Sequence, residues 1–265
     1  MIQHFSCNIT GNAHERDGTP CQDKLLIFTN GISFFGLSDG AGSCKQSDIG
    51  ASLTLKETYS WFLQNPNSSS PSDLLLSIQN CLDKYASENN LITRELSATL
   101  LFVFINNEII RIGQVGDGII GFRKQNTKFK KLFDAQKGEF ANETTFVTSP
   151  LNKIKFQTVE LSLEVNETID IVLMTDGIEA VLFNSKEHTF TSAVDKFFQW
   201  LYDEPSEEVN LGIKSAIEKN IKPLTQDDLS IIGVSYRYEV ADSSSESVYW
   251  YTKAFNYIKR LFNFR

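Results

Sequence analysis

The sequence lacks the cysteine pairs that mark structural zinc sites. It contains no Cys-x-x-Cys motif, and its four cysteines stand singly at Cys7, Cys21, Cys44 and Cys81. Zinc ribbons and fingers bring such pairs together, so this pattern argues against a zinc protein. Scattered cysteines also fit a reducing compartment, where disulfides are rare.

Long apolar runs are absent as well. No window reaches the roughly 18 consecutive apolar residues that are needed to span a bilayer. The segment from Met1 to Thr10 has neither the basic n-region nor the apolar h-region of a secretory signal. These absences predict a soluble protein in the cytoplasm.

Positive charge is also in short supply. The chain has 25 Lys and Arg against 33 Asp and Glu, for a formal net charge of -8. That balance argues against a nucleic-acid backbone as the main partner. Apolar residues, by contrast, make up 41% of the 265 residues. This content allows a sizeable core, and the length suits one large domain or one domain with a short appendage.

Apolar periodicity and turn signals predict most of the secondary structure. Strands are predicted at 25–29, 32–37, 98–105, 108–115, 119–123, 128–133, 155–161, 168–175 and 229–236. Helices are predicted at 47–65, 72–87, 191–202 and 206–220, with Ser72 as an N-cap. Strand runs that alternate with paired helices indicate an α+β fold in which helices cover antiparallel sheets.

Four aspartates occupy similar places in this pattern. Asp39, Asp117 and Asp176 each follow an apolar strand and precede a glycine, and Asp227 stands just before the final strand. Carboxylates crowded at one rim of a sheet repel one another unless a cation lies between them. Oxygen ligands favour hard ions such as Mg²⁺ or Mn²⁺. Asp-Gly is also a common turn pair, so the residues alone leave a metal site and simple turns both open.

The order of the motifs resembles the type 2C (PPM) family of metal-dependent protein Ser/Thr phosphatases, in its compact bacterial-type branch. The motifs are GTPCQD at 18–23, LSDGAG at 37–42, SATL at 97–100, QVGDG at 114–118, MTDGI at 174–178 and QDDLS at 226–230. The resemblance covers most of the chain. It implies a β-sandwich of two mainly antiparallel sheets, flanked by pairs of helices, with a metal cleft at one end.

The resemblance also implies a set of metal ligands. Asp39 would bridge two divalent cations, Mg²⁺ or Mn²⁺, and the carbonyl group of Gly40 would bind one of them. Asp176 and Asp227 would complete the pair and, with Asp39, form the catalytic set. The nucleophile would be a water activated by the metals.

Two further acids take lesser roles by the same resemblance. Asp23 would hold a metal-bound water. Asp117, together with Asp176, would match the third and weaker metal site of some members. The implied substrate is a phosphorylated protein, whose phosphate a Ser/Thr kinase would have added.

Several positions depart from the family pattern. Gln22 stands where many members have Glu, which removes a negative charge beside the metals. Ala41 replaces the histidine that eukaryotic relatives carry in Asp-Gly-His-Gly. Asp228 replaces the usual Asn, so Asp227 and Asp228 compete for the role of ligand, and alignment on Ser230 favours Asp227.

The family uses an arginine before its first acidic motif to grip the substrate phosphate. Arg16 is the nearest match, at a slightly longer spacing than usual, and His14 is a weaker candidate beside it. A guanidinium suits a bidentate phosphate contact. A solvated loop arginine is the competing interpretation.

The last residues differ in composition from the rest. We predict a phosphatase domain over 1–240, then a Ser-rich linker and an aromatic, basic C-terminal helix over 241–265. Such a helix could pack on the domain itself, or it could contact a partner or a membrane surface. The polar segment 136–154 is predicted to be a long surface loop near the cleft.

Three functions therefore remain open from the sequence. The first is an active phosphoprotein phosphatase. The second is a catalytically weak pseudophosphatase that binds phosphoproteins, for which Gln22 and Ala41 leave room. The third is a phosphatase of small phosphorylated molecules.

Overall fold

The computed structural model describes residues 1–68, 70–125, 127–133 and 144–240. In chain order its strands are β1 (Ile2–Ile9), β2 (Lys24–Phe28), β3 (Ser33–Ser38), β4 (Leu100–Asn106), β5 (Ile109–Val115), β6 (Ile119–Lys124), β7 (Lys130–Lys131), β8 (Gln157–Ser162), β9 (Thr168–Met174), β10 (Phe183–Asn184), β11 (Thr189–Phe190) and β12 (Leu229–Arg237). Its α-helices are α1 (Asn12–Asp17), α2 (Ser47–Gln64), α3 (Pro71–Glu88), α4 (Asp176–Leu182), α5 (Ser192–Asp203) and α6 (Ser206–Asn220).

The strands form two five-stranded sheets. The first sheet has the order β1-β12-β9-β6-β7, the second has the order β2-β3-β4-β5-β8, and β10 and β11 form a separate hairpin. Neighbouring strands are antiparallel in both sheets. This arrangement confirms the predicted α+β sandwich of two antiparallel sheets.

The alternation of side chains along β3 shows how the layers are built. Phe35 packs between the two sheets, in a cluster with Ile171 and Ile232. Its neighbour Phe34 points to the other face, where it packs with Tyr59 of α2. Because successive strand residues face opposite sides, one run of apolar residues serves two cores. Each large side chain buried in this way contributes about 1.5–3 kcal/mol.

Two pairs of helices cover the outer faces of the sandwich. Helices α2 and α3 lie on the second sheet, where Ile78 packs in a cluster with Phe102. Helices α5 and α6 lie on the first sheet, where Phe198 and Ile213 pack in a cluster with Phe5. The predicted flanking helices are therefore confirmed.

The register of the first sheet brings several strand ends to one end of the sandwich. Ile9, the last residue of β1, pairs with Leu229, the first residue of β12. Met174, the last residue of β9, pairs with Ile231 and with Ile119 at the start of β6. The residues that follow or precede these strands are therefore neighbours in space.

The predicted elements are mostly present, with small changes at their ends. The helix predicted at 72–87 begins one residue earlier, at Pro71. Its N-cap is Ser70 rather than Ser72, since the Ser70 hydroxyl accepts a hydrogen bond from the Asp73 N–H at 3.4 Å. Proline at the first helical position fits this start, because its missing N–H would have had no partner there. The strand predicted at 128–133 is reduced to the two residues of β7.

Five elements were not predicted from the sequence, and two of them are the short strands β10 and β11. Strand β1 pairs along its whole length with β12. Helix α1 follows directly, and α4 begins at Asp176, where only a strand end was expected. Helices α1 and α4 are six and seven residues long, too short to show helical periodicity.

Two predicted segments lie wholly or partly outside the described residues. The linker and helix predicted at 241–265 lie outside them entirely. Of the loop predicted at 136–154, the described part contains a short 3₁₀ turn at Leu151–Lys153. Among the helices that the structure describes, none is long and apolar enough to cross a membrane.

Candidate active site

Asp39 is fixed through its backbone. It follows β3, and Thr99 lies beside it just before β4. The Asp39 N–H donates to Thr99 Oγ1 at 2.9 Å, and the Thr99 N–H donates to the Asp39 carbonyl oxygen at 2.8 Å. These two hydrogen bonds with Thr99 fix the Asp39 backbone at the end of its strand. The carboxylate therefore extends from a rigid backbone.

Asp23 links the two sheets at this end of the sandwich. It precedes β2 of the second sheet and is only 2% exposed. Its Oδ2 accepts a hydrogen bond at 2.9 Å from the hydroxyl of Thr175, which follows β9 of the first sheet. Asp176 is the next residue, so this bond brings Asp23 beside the start of α4.

Asp117 occupies the tight turn between β5 and β6. Its neighbours Gly116 and Gly118 have φ angles of 92° and 85°, values that residues with a Cβ rarely adopt. Oδ2 of Asp117 accepts a hydrogen bond at 2.5 Å from the hydroxyl of Thr144. The glycines thus allow the turn that places this carboxylate near Asp176.

Asp227 and Asp228 differ sharply in their surroundings. Asp228 is 2% exposed, and its carboxylate accepts hydrogen bonds from the N–H groups of Gly11 and Gln22, each at 2.7 Å. It also contacts His14 Nδ1 at 2.9 Å. Asp227 is exposed at the same turn. The oxygens of Asp228 are therefore occupied by protein donors, which favours Asp227 as the candidate ligand.

These carboxylates lie close enough to influence one another. Burial raises the pKa of Asp39, and the charges of Asp23, Asp176 and Asp227 raise it further. The pKa of Asp176 is raised first by burial and then by the charges of Asp117, Asp227 and Asp23. Burial also raises the pKa of Asp23, against hydrogen bonds from Ser230 and Thr175 that lower it. The structure thus brings together all five acids that the sequence predicted as ligands.

The donor set fits a hard divalent cation. It consists of carboxylate oxygens, with the Gly40 carbonyl next to Asp39 in the chain, and hard ions prefer oxygen ligands. Gln22 adds a buried amide oxygen, Oε1, that has no hydrogen-bond partner among the described residues. Among the described residues, no three His, Cys, Asp or Glu side chains are arranged closely enough to form a complete metal-binding site as they stand.

Helix α1 carries the two residues predicted to grip phosphate, and they face different surroundings. The side chain of Arg16 is 68% exposed and contacts the adjacent Asp17 at 3.4 Å. The side chain of His14 is 19% exposed and contacts Asp228. The structure therefore brings His14 to the turn that carries Asp227, and it does not bring Arg16 there.

Sequence reasoning assigned no role to several residues that build this site. Thr99 and Thr175 lie inside the motifs SATL and MTDGI, but nothing in those motifs shows that their hydroxyls bind Asp39 and Asp23. The contact between His14 and Asp228 joins residues 214 positions apart. No local pattern could have signalled it.

A comparison with protein families gives a match over most of the chain. The family model for protein phosphatase 2C matches residues 10–214. This span contains Asp23, Asp39, Asp117 and Asp176, while Asp227 lies beyond it. A comparison with curated proteins found no match.

Solved structures of bacterial phosphatases share the fold. A bacterial serine phosphatase matches with a TM-score of 0.62 and 14% identity, over 92% of this chain and 100% of that one. A serine/threonine phosphatase of S. agalactiae matches with a TM-score of 0.60 and 16% identity, over 88% and 99%. Serine/threonine phosphatase Stp1 from Staphylococcus aureus matches with a TM-score of 0.61 and 14% identity, over 89% and 95%.

Proposed function

Since the chain belongs to the protein phosphatase 2C family, we propose that it removes phosphate from phosphoserine and phosphothreonine in other proteins, and that it needs divalent cations to do so. A phosphate monoester at neutral pH is an anion, and a cleft lined by carboxylates would repel it. Bound cations would make the electrostatic potential at these carboxylates positive, so that they no longer repel the substrate but attract it.

The observation that carries the proposal is the crowding of the carboxylates. Asp39 has a raised pKa because it is buried beside Asp23, Asp176 and Asp227. A protein gains nothing in stability from unpaired acids held together in this way. Such an arrangement is expected where a cation occupies the space between them.

We assign the ligands as follows. Asp39, Asp176 and Asp227 would hold two ions of Mg²⁺ or Mn²⁺, with the Gly40 carbonyl as a further ligand. Asp23 would orient water beside them, and Asp117 would support a third and weaker ion. When bound, such ions lower the pKa of water and stabilise the negative charge that develops on the phosphoryl group.

The chain's own residues would hold this arrangement rigid. Thr99 fixes the backbone of Asp39, and Thr175 fixes the carboxylate of Asp23. Asp228 ties the turn of Asp227 to the residues before β2. Rigid placement of ligands matters because a small error in position lowers the rate steeply.

The first test is hydrolysis of p-nitrophenyl phosphate with Mn²⁺, with Mg²⁺ or with EDTA. We expect turnover only with a metal, and a loss of at least about 100-fold in Asp39→Asn and in Asp176→Asn. The matched control is Asp203→Asn, which removes an exposed carboxylate at the end of α5 and should keep full activity.

Folded protein that shows no turnover with either metal would instead support the pseudophosphatase alternative. Titration calorimetry separates the two, because a pseudophosphatase that lacks a metal centre should bind Mn²⁺ weakly or not at all. Comparison of a phosphoserine peptide with free phosphoserine and nucleotides then tests the substrate class. Faster hydrolysis of the small molecules would contradict a protein substrate.

A further inference from the structure

Hydrolysis of a phosphoserine requires more than an attacking water. The departing serine oxygen is strongly basic and leaves readily only if it receives a proton. The turn after Asp39 consists of Gly40, Ala41 and Gly42, whose side chains have no proton to give. This inference rests on the proposed function and concerns the group that supplies that proton.

One histidine of the three lies at the candidate site. His4 is in β1 and its ring packs against Phe35 inside the sandwich. His188 is exposed in the turn between β10 and β11. His14 alone contacts the turn of Asp227 and Asp228, through its Nδ1.

The position of His14 follows from how α1 sits on that turn. The Ala13 N–H donates to the Gln226 carbonyl oxygen at 3.0 Å, and the Gly11 N–H donates to Asp228 Oδ1 at 2.7 Å. A Cβ on Gly11 would lie 2.3 Å from the carbonyl carbon of Asp227, so the two backbones are in close contact. Helix α1 therefore holds the His14 ring against Asp228, on the turn that also carries the candidate ligand Asp227.

Asp228 orients the ring and fixes its proton. Both oxygens of Asp228 accept hydrogen bonds from backbone N–H groups, so in the contact with His14 the ring nitrogen Nδ1 is the donor. The carboxylate of Asp228 is itself held by the N–H groups of Gly11 and Gln22. The opposite ring nitrogen, Nε2, has no hydrogen-bond partner among the residues that the structure describes, and the side chain is 19% exposed. The ring is thus anchored at one nitrogen, and the other is available to a ligand.

We propose that His14 is the proton donor to the leaving oxygen of the substrate, with Asp228 as its positioning residue. A carboxylate behind an imidazole holds the ring in one orientation and stabilises its protonated form. As the water oxygen bonds to phosphorus, the bond from phosphorus to the serine oxygen breaks. The ring starts the step with a proton on each nitrogen: the serine oxygen takes the proton of Nε2, Nδ1 keeps its proton in the contact with Asp228, and the proton released by the attacking water restores Nε2.

The test compares substrates that differ in their need for a proton. In His14→Asn the amide nitrogen can take the place of Nδ1 and keep the contact with Asp228, while Nε2 is lost. We expect kcat/KM for a phosphoserine peptide to fall by about 100-fold or more, and that for p-nitrophenyl phosphate to fall by less than about threefold. Nitrophenolate leaves without a proton, which is why the two substrates should separate.

Three further variants keep the test decisive. His188→Asn is the matched control, since its position has φ of 53°, which asparagine tolerates, and it should change neither rate. Asp228→Asn should shift the same ratio of rates in the direction of His14→Asn, as a positioning residue must. His14→Gln, which keeps a nitrogen near the position of Nε2 but no ionisable ring, serves if His14→Asn does not fold.

The outcomes are distinguishable. An equal loss on both substrates, or no loss on either, would overturn the role of His14 as proton donor while leaving the proposed function intact. A steeper dependence of kcat/KM on leaving-group pKa across a series of aryl phosphates, in His14→Asn relative to wild type, would support it. Failure of the wild-type protein to hydrolyse any of these esters with metal would overturn the proposed function, and this inference with it.

Discussion

The pKa of Asp39 depends on its burial and on the acids that surround it. Its pKa is raised by burial and by three neighbouring acids, Asp23, Asp176 and Asp227. In a chain without bound cations, protons must partly neutralise this cluster. The proposed cations would therefore compete with protons for the same oxygens.

That competition predicts how stability depends on pH. Burial raises the pKa of Asp23 to about 6 and that of Asp176 to about 7, from 3.8. The folded chain thus keeps protons that the unfolded chain has lost, so the free energy of unfolding falls as the pH rises from about 4 to 7. In EDTA we expect a Tm at pH 7.5 below that at pH 5.5 by roughly 4–8 °C, or about 2 kcal/mol.

Thermal unfolding in EDTA and in Mn²⁺, at both pH values, provides the measurement. Mn²⁺ should raise the Tm more at pH 7.5 than at pH 5.5. At pH 7.5 these acids have already lost their protons, so Mn²⁺ binds without having to displace them. Asp39→Asn removes one acid from the cluster, so its Tm in EDTA should depend less on pH than that of wild type. A metal-free protein that is more stable at pH 7.5 would contradict the crowding of the acids.

At the scale of elements, the short helix α1 positions part of the candidate site. It is six residues long and has no buried side chain of its own. It is held by contacts with the segment before β12, including hydrogen bonds from the Asn12 amide to the carbonyl oxygens of Lys222 and Thr225 at 2.8 and 3.0 Å. Its stability therefore depends on that segment, as expected for a helix this short.

Gly11→Ala tests the contact between α1 and the turn of Asp227. The added Cβ would lie 2.3 Å from the Asp227 carbonyl carbon, so one backbone must move. Overpacking of this kind costs about 1–3 kcal/mol, and we expect a lower Tm and an apparent Kd for Mn²⁺ raised by at least about tenfold.

Gly212→Ala in α6 is the control for this substitution. A Cβ there meets nothing closer than Trp200 at 4.0 Å, and alanine favours a helix over glycine by about 0.8–1 kcal/mol. We expect this variant to keep its metal affinity and its Tm, or to gain slightly in Tm. Unchanged metal affinity in Gly11→Ala would mean that the turn of Asp227 does not depend on α1.

The elements also show how far the sequence could be interpreted. The four long helices follow from local periodicity, and their prediction is confirmed. Strand β1 had a usable signal, since Phe5, Cys7 and Ile9 alternate with polar residues, but the segment was not predicted as a strand. Contacts such as that of His14 with Asp228 could not be predicted, because they depend on how distant segments pack.

The choice between Asp227 and Asp228 illustrates the same limit within a site. The two residues are adjacent and chemically identical, and in the sequence only the family resemblance, through the alignment on Ser230, favours Asp227. In the structure one is saturated by the N–H groups of Gly11 and Gln22, and the other is exposed. The distinction comes from residues more than 200 positions away, which no local pattern includes.

At the scale of the whole molecule, the described residues contain three apolar cores. One lies between the sheets, and one lies under each pair of helices. The domain boundary at 240 stays a prediction.

Truncation after Val240 tests that boundary. We expect the shortened protein to unfold cooperatively with a Tm within about 3 °C of the full chain, which corresponds to less than about 1 kcal/mol. Its hydrolysis of p-nitrophenyl phosphate should be unchanged. A second truncation after Ile231, which removes most of β12, should prevent folding and serves as the opposite control. Loss of folding in the first truncation would place the domain boundary later in the chain.

The pairing of β1 with β12 bears on how the chain is made. Ile2 pairs with Tyr236, so β1 is synthesised long before its partner strand β12. Asp23 and Asp39 are likewise synthesised long before Asp176 and Asp227. Until β12 has been synthesised, the chain holds an unpaired strand edge and half of the proposed metal site. The nascent protein is therefore expected to bind cations only after β12 has left the ribosome.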